Sequence, residues 1–598
     1  MTPGGVRRDG AAVEAVIARA GGLAQGGRMH EAIDLLQRDR AAMGHPAGCN
    51  MLGTMLIQTG AAGPALECFD RAVALAPDFA DAHSNRGVAL QQLGRLEEAL
   101  AAFQAALRAA PDHINGLVNA GNVLLLLCRN DAALGAFDRV LSLKPDLAEA
   151  ALKRAYVHGA LDDHAAALAD FERVLDLQPG RGEAALGRVS ALVSLKRFDA
   201  ALAAIDSILA AHPADAEAAA VRGQILNEID RPAEALALAE GLLKHGRGGS
   251  KAEIVRAAAL WRLGRRNDAI AAGEAAASRH PSEVQIRQAL SQYHLATGDF
   301  ARGWVAYEWR SGTFDRKHKA LEARAPRWTG EALTGKTILV LAEQGIGDTI
   351  QFVRFLADLH ARGAEVTALV QPVLLALLRS LPVPVTWSDA PEDVGAYDRQ
   401  IRLLSLPHAL GIDLEGIARA VPYLTPDAAK VAAWRTRIGD HGFRVGVVWQ
   451  GNPRYGQDHR RSVPLTHFAP LAAIPGVRLI SLQAVHGLDQ LDCLPEGMAV
   501  ETLDETITAN PDGVSEVAAA MAALDLVISS DTAMAHLAGA LGRPVWLALN
   551  DDPDWRWLFD RPDSPWYPTM RLFRQKQRGD WAGVFARIAA ALKDRATP

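Results

Sequence analysis

The stretch Thr337 to Phe355, TILVLAEQGIGDTIQFVRF, decides how the rest of the chain is read. Ile338 to Ala342 is an apolar run of strand length, and Gly345 and Gly347 mark a tight turn. Asp348 then stands at the mouth of a helix whose apolar face carries Ile350, Phe352, Val353 and Leu356. The chain before this point is repetitive and helical in pattern, and the chain after it alternates strands and helices. Just upstream, Gly330 to Thr337 matches the phosphate-loop pattern G-x-x-x-x-G-K-[ST] letter for letter. That motif needs a strand before it and a helix after it, whereas here a polar, Pro-interrupted segment precedes it and a strand follows.

Upstream, Pro77, Pro111, Pro145, Pro179 and Pro213 recur every 34 residues, with Pro281 two periods further on. Ala65, Ala99, Ala133, Ala167, Ala201, Ala235 and Ala269 keep the same period. Bulky Phe69, Phe103, Phe137, Phe171 and Ile205 follow four positions after five of those alanines. Gly53, Gly87, Gly121, Ala155, Gly223 and Ala257 precede them by twelve. Small residues where two antiparallel helices approach, a bulky residue between neighbours and a proline that stops the second helix make the tetratricopeptide pattern. Roughly eight or nine repeats are expected, more than the three or so such an array needs. Stacked repeats present an extended surface suited to a protein or peptide, although a pure scaffold or dimerisation arm would read the same way.

Downstream, strands are expected at 365–370, 383–387, 399–404, 443–449, 477–482, 524–529 and 544–549, with helices between them. This is the pattern of largely parallel sheets covered on both faces, and a polar Pro-flanked segment near 421–442 separates two lobes. Ligands of such sheets bind at the carboxyl ends of the strands. Three stretches fall there. Gly345-Ile-Gly347-Asp348 offers close backbone approach and a carboxylate that either takes a proton from an attacking hydroxyl or caps its helix. Trp449 to Ser462 brings Asn452, Arg454, Arg460 and Arg461 onto a polar loop suited to phosphate oxygens rather than to mere solvation. Ser530, Asp531, Thr532 and Ala533 lead into a helix whose start attracts anions, with His536 one turn in as a ligand contact or a packing residue. Asp552 and Asp554 sit in a tryptophan-crowded loop and are read as structural; no metal set emerges.

At 598 residues with a net charge of −6, the chain exceeds one core and lacks a basic footprint for nucleic acid. Its four cysteines are scattered without zinc or disulfide spacing, which suits a reducing compartment. Neither a signal peptide nor a membrane span is expected, so cytoplasmic location is the default.

Four blocks, EQGIGDTIQFVRF, VGVVWQGNP with RRSVPL, DLVISSDTAMAHLAGALGRPVWLAL and DWRWLFDRPDSPWYPTMRLFRQ, together resemble a bacterial group. In that group tetratricopeptide repeats are fused to a glycosyltransferase domain similar to the lipopolysaccharide heptosyltransferases. The likeness spans about residues 330 to 595, and the layout is also similar to that of protein O-GlcNAc transferases. The resemblance implies an α-solenoid followed by a GT-B fold of two Rossmann-like lobes. The implied divisions are an N-terminal helix at 1–27, repeats at 28–312, a linker at 313–335, an acceptor-side lobe at 336–425, a donor lobe at 440–575 and a crossing helix with tail at 576–598. It further implies metal-independent transfer from a nucleotide-activated sugar, with no cofactor, with Asp348 as base and with the donor phosphate at Asp531 to Ala533. Several members modify flagellin with a nonulosonic acid such as CMP-pseudaminate, so flagellin is the implied acceptor. Heptosyltransferases present a lysine where this chain has Arg454, Arg460 and Arg461, which leaves open a different leaving group, including a nucleoside monophosphate, or weakened catalysis. A non-catalytic sensor and a saccharide- or lipid-acting transferase are the competing classes.

Overall fold

The computed structural model describes residues 10–310, 316–503 and 513–596. The boundary expected at 312/313 lies outside them. Among the described residues, helix pairs follow one another from Gly10–Gln25 with Met29–Arg38 to Val284–Ala296 with Phe300–Tyr307, nine pairs in all. The glycine and phenylalanine periods meet in space. A Cβ at Gly53, Gly87 or Gly121 would fall 2.5–2.7 Å from the ring of Phe69, Phe103 or Phe137, a separation no real side chain tolerates. Each of these rings is fully buried, so the missing Cβ is what admits it.

The chain divides into two compact units, one ending at Ile229 and one beginning at Asp230. The division falls inside the repeats, not at their end. The last repeats belong with the α/β region because their aromatic residues are part of its core: Leu295, Phe300, Trp304 and Tyr307 pack with Ile338, Phe352, Trp555 and Trp566. Trp304 also donates its indole N–H to the Ile412 carbonyl at 2.7 Å. The expected linker is likewise built in: Trp328 is fully buried and its backbone N–H donates to the Gln400 carbonyl.

Two sheets follow, both parallel. The first takes β1 (Thr337–Leu341), β2 (Glu365–Leu369), β3 (Val385–Ser388) and β4 (Arg399–Arg402) in the order β3-β2-β1-β4. The second takes β5 (Phe443–Val448), β6 (Val477–Ser481), β7 (Glu501–Thr502), β8 (Leu526–Ser530), β9 (Val545–Leu549) and β10 (Met570–Arg574) in the order β10-β9-β8-β5-β6-β7. The strands β8 and β9 are buried at every position, which is why they read as unbroken apolar runs. The sequence reading lacked β7 and β10. The first has two residues, and Met570–Arg574 carries Arg571 and Arg574, which break its apolar run and suit the edge position it takes. The helix Trp581–Ala596 closes the chain against the second sheet, burying Trp581, Val584, Phe585, Ile588 and Leu592.

Candidate active site

A cleft of about 1160 Å³ opens at the carboxyl ends of β1, β5, β6, β8 and β9. That exceeds the ~300–1,000 Å³ typical of a site for one small ligand. Its opposite wall comes from the last repeats. Ala258, Trp261 and Arg262 line it from the helix Gly249–Arg262, and Ala289, Gln292, Tyr293 and Ala296 from the helix Val284–Ala296. Spacings of three and four place each set on a single helix face. Trp261 is held by stacking on Tyr293 at 4.2 Å and by donating its indole N–H to Asp552 Oδ1 at 3.0 Å.

Asp348 caps its helix and also faces the cleft. Its Oδ2 accepts from the Gly345 backbone N–H at 3.0 Å and so caps the helix Ile346–Phe352. Its Oδ1 accepts from Arg556 Nη2 at 2.5 Å, and it lines the cleft with a fifth of its side chain exposed. Burial pushes its carboxyl above the ordinary aspartate value, and the Arg556 cation pulls it back down. Gly347 serves packing: a Cβ there would lie 3.1 Å from Ala533 Cα, so its absence lets two helix starts from different sheets meet in the cleft. Before them Gln344, with φ at 63°, makes the left-handed bend at the strand end.

The helix Ala533–Ala540 begins without a side-chain cap on its first-turn N–H groups, and Asp531, Thr532 and Ala533 line the cleft. Ser530 does not line it; it is fully buried at the end of β8. Burial, then the nearby Asp554 carboxylate, raises Asp531 to about 6, against the pull of Arg461. An anion bound at this helix start would favour its protonated form further. His536 lines the cleft too, with Nδ1 at 3.0 Å from the Tyr567 hydroxyl and its ring stacked on Trp557 at 5.3 Å.

The arginine loop divides. Arg460 and Arg461 line the cleft, and Arg461 is fixed by the buried Asp458 at 3.1 Å and by the Tyr455 ring 4.5 Å from its guanidinium. Arg454 is exposed and lies off the cleft, where its backbone N–H is bound by Asn452 Oδ1; Asn452 itself lines it. The expectation that Arg454 joins the other two therefore fails geometrically, because the turn at Asn452 carries it outward.

The cation at the centre is one that sequence reasoning missed. Arg556, buried in the β9–β10 loop, donates to Asp348, to Asp554 Oδ1 at 2.9 Å and to Gln351 Oε1 at 2.6 Å. Asp554, read as structural, thus shares Arg556 with Asp348. An arginine two residues after an aspartate inside Trp-Arg-Trp was the available signal, hidden by the tryptophans around it. Among the described residues no group of three or more His, Cys, Asp or Glu is arranged to hold a metal, and no helix is long and apolar enough to cross a membrane.

Tetratricopeptide repeat families match residues 52–114, 119–182 and 160–225. Those segments are tetratricopeptide repeats. Protein FlbA of Caulobacter vibrioides is 30% identical over 336 residues, covering 52% of this chain and 56% of its own, so the chain spans little more than half of that relative's length. Among solved structures, a tetratricopeptide repeat protein of Parabacteroides merdae is 19% identical with a TM-score of 0.35, covering 41% of this chain and 97% of its own. A thermophilic repeat protein of Thermus thermophilus is 23% identical with a TM-score of 0.25, covering 30% and 99%.

Proposed function

We propose that the chain is a GT-B glycosyltransferase that moves a sugar from a nucleotide-activated donor to a Ser or Thr hydroxyl of a protein, with flagellin as the acceptor suggested by the resemblance of its four blocks. One observation carries this reading most: Asp348 stands in a single cleft with strand ends on one side and the faces of the last two repeats on the other. The volume suits a donor and an acceptor segment together.

In this reading the acceptor oxygen attacks the anomeric carbon while the bond from that carbon to the donor phosphate breaks. Asp348 Oδ1 receives the hydroxyl proton, which its burial-raised affinity favours. When it does, Arg556 stays paired with Asp554, so neutralising Asp348 leaves no buried cation without a partner. The departing phosphate meets the uncapped start of the Ala533 helix with Arg460 and Arg461, charges fixed in place before the reaction. The repeat wall holds the acceptor, which raises its effective concentration at the donor.

The experiment is intact mass spectrometry of flagellin from cells with and without the protein. Loss of a fixed mass, restored by wild type but not by Asp348→Ala, is the expected result, with turnover down roughly 10²- to 10⁴-fold. Ala289→Trp, which fills the groove on the repeat wall, should raise the acceptor KM more than it lowers kcat. An unchanged flagellin mass would remove flagellin as acceptor, and full activity of Asp348→Ala would remove the mechanism.

A further inference from the structure

Behind the cleft lies a buried cation that the mechanism does not use. Arg354 is 4% exposed and, among the described residues, no carboxylate is a hydrogen-bond partner: Nε donates to the Gln351 carbonyl at 2.8 Å, Nη1 to the Trp566 carbonyl at 2.9 Å and Nη2 to the Tyr423 hydroxyl at 2.9 Å. Its guanidinium lies 4.4 Å from the Tyr423 ring centre and 4.7 Å from that of Tyr567. An unneutralised buried cation polarises whatever dipoles surround it. Tyr423 has already committed its proton to the Ile350 carbonyl at 2.9 Å. The Tyr567 hydroxyl has His536 Nδ1 at 3.0 Å, and its ring is pinned over Gly539, where a Cβ would come within 2.6 Å.

A phenol beside a cation turns its oxygen toward the charge and its proton away, and a phenol is in any case a better donor than acceptor. Tyr423, the other hydrogen-bond neighbour of the Tyr567 hydroxyl, accepts from Arg354 Nη2 and so lies on the cation's side, and the proton directed away from the charge meets Nδ1. A neutral imidazole that accepts at Nδ1 must carry its own proton on Nε2.

We propose that Arg354 and Tyr567 are positioning residues that hold His536 as the neutral Nε2–H tautomer, making it a hydrogen-bond donor to an oxygen of an anionic ligand in the cleft. The ligand half rests on the reading of the cleft as a nucleotide-sugar site; the tautomer does not. The charged groups around the ring agree with a neutral state. Burial, then the cations of Arg556, Arg354 and Arg461, lowers the imidazole well below its ordinary value. Asp348 and Asp531 share the cleft, the first already paired with Arg556. His536 therefore donates without titrating through the neutral range, and a base at Nε2 is excluded. This divides the labour with Asp348, the group left to take the acceptor's proton.

The test is nitrogen-15 NMR of histidine-labelled full-length protein, with the His536 signals assigned by their loss in His536→Asn. The expected result at pH 7 is a protonated Nε2 and a bare Nδ1, persisting as pH falls below the ordinary histidine value and mixed or reversed in Tyr567→Phe. In Arg354→Met the ring should become protonated at a higher pH than in wild type. An Nδ1–H tautomer or an imidazolium at pH 7 in the wild type overturns the proposal, as does a Tyr567→Phe spectrum identical to it. Addition of CMP should shift the Nε2–H signal. Binding of CMP without that shift overturns the donor role. Failure of CMP and UDP to bind at all counts against the proposed function, while the tautomer still decides the relay.

Discussion

Two arginine–aspartate pairs, one in the repeats and one in the cleft, have nearly the same length and opposite significance. Arg222 reaches Asp206 at 2.6 Å with 27% and 47% of the side chains exposed. Arg556 reaches Asp348 at 2.5 Å with 8% and 20% exposed. Water screens the first pair and replaces either partner when the other is lost. Around the second, removal of one partner strands the other in a medium that cannot solvate it. The repeats are thus a frame held mainly by shape, in which most ion pairs sit outside and Asp170 and Glu253 are buried exceptions. The cleft is held by charges inside, and shape is arranged around them.

The largest effect expected from this contrast is that of Arg556→Met. Asp348 and Asp554 would lose their shared cation together, and the full-length chain should be destabilised by roughly 3–5 kcal/mol in denaturant titration. A loss below about 1 kcal/mol would erase the distinction between the two regions.

Asp531 sharpens the comparison through pH. Its folded-state value of about 6 lies above the ordinary 3.8, so between the two the folded chain binds the extra proton. The associated stability is fully present below the unfolded value and is lost as pH rises through about 6. Asp531→Asn should therefore be more stable than wild type at pH 7.5 by about 3 kcal/mol, and most of the advantage should be gone near pH 4. Thermal unfolding across that range reads the difference, and a gain that is independent of pH would show that burial of the charge is not its cause.

Arg222→Ala should produce the smallest change, about 0.5 kcal/mol or less in the same assay. A cost like that of Arg556→Met would show that the repeat surface is also held by its ion pairs.

How much of this was legible beforehand follows the same divide. The Gly53–Phe69, Gly87–Phe103 and Gly121–Phe137 packing shows directly in the sequence because each partner recurs every 34 residues and touches its own neighbours. Strands β1, β5, β8 and β9 are legible because both their faces are buried. The rule that strand ends face a cleft places Asp348, Asp531 and Arg461 in this one. The rule reaches no further than strand ends: it brings in Arg454, which the turn at Asn452 carries away, and Ser530, which the end of β8 keeps inside.

Local periodicity and local polarity, then, specify the repeats, the individual strands and the strand ends that bear polar residues, because each is written within a single window of sequence or a fixed repeat. The partnership of Asp348 with Arg556, the repeat wall of Trp261 and Tyr293, and the line from Arg354 through Tyr567 to His536 are decided only by tertiary structure. Each joins positions separated by tens to hundreds of residues. What selects those partners is the cost of leaving a buried charge or donor alone. That cost exists only once folding has excluded the water, so no window of sequence contains it.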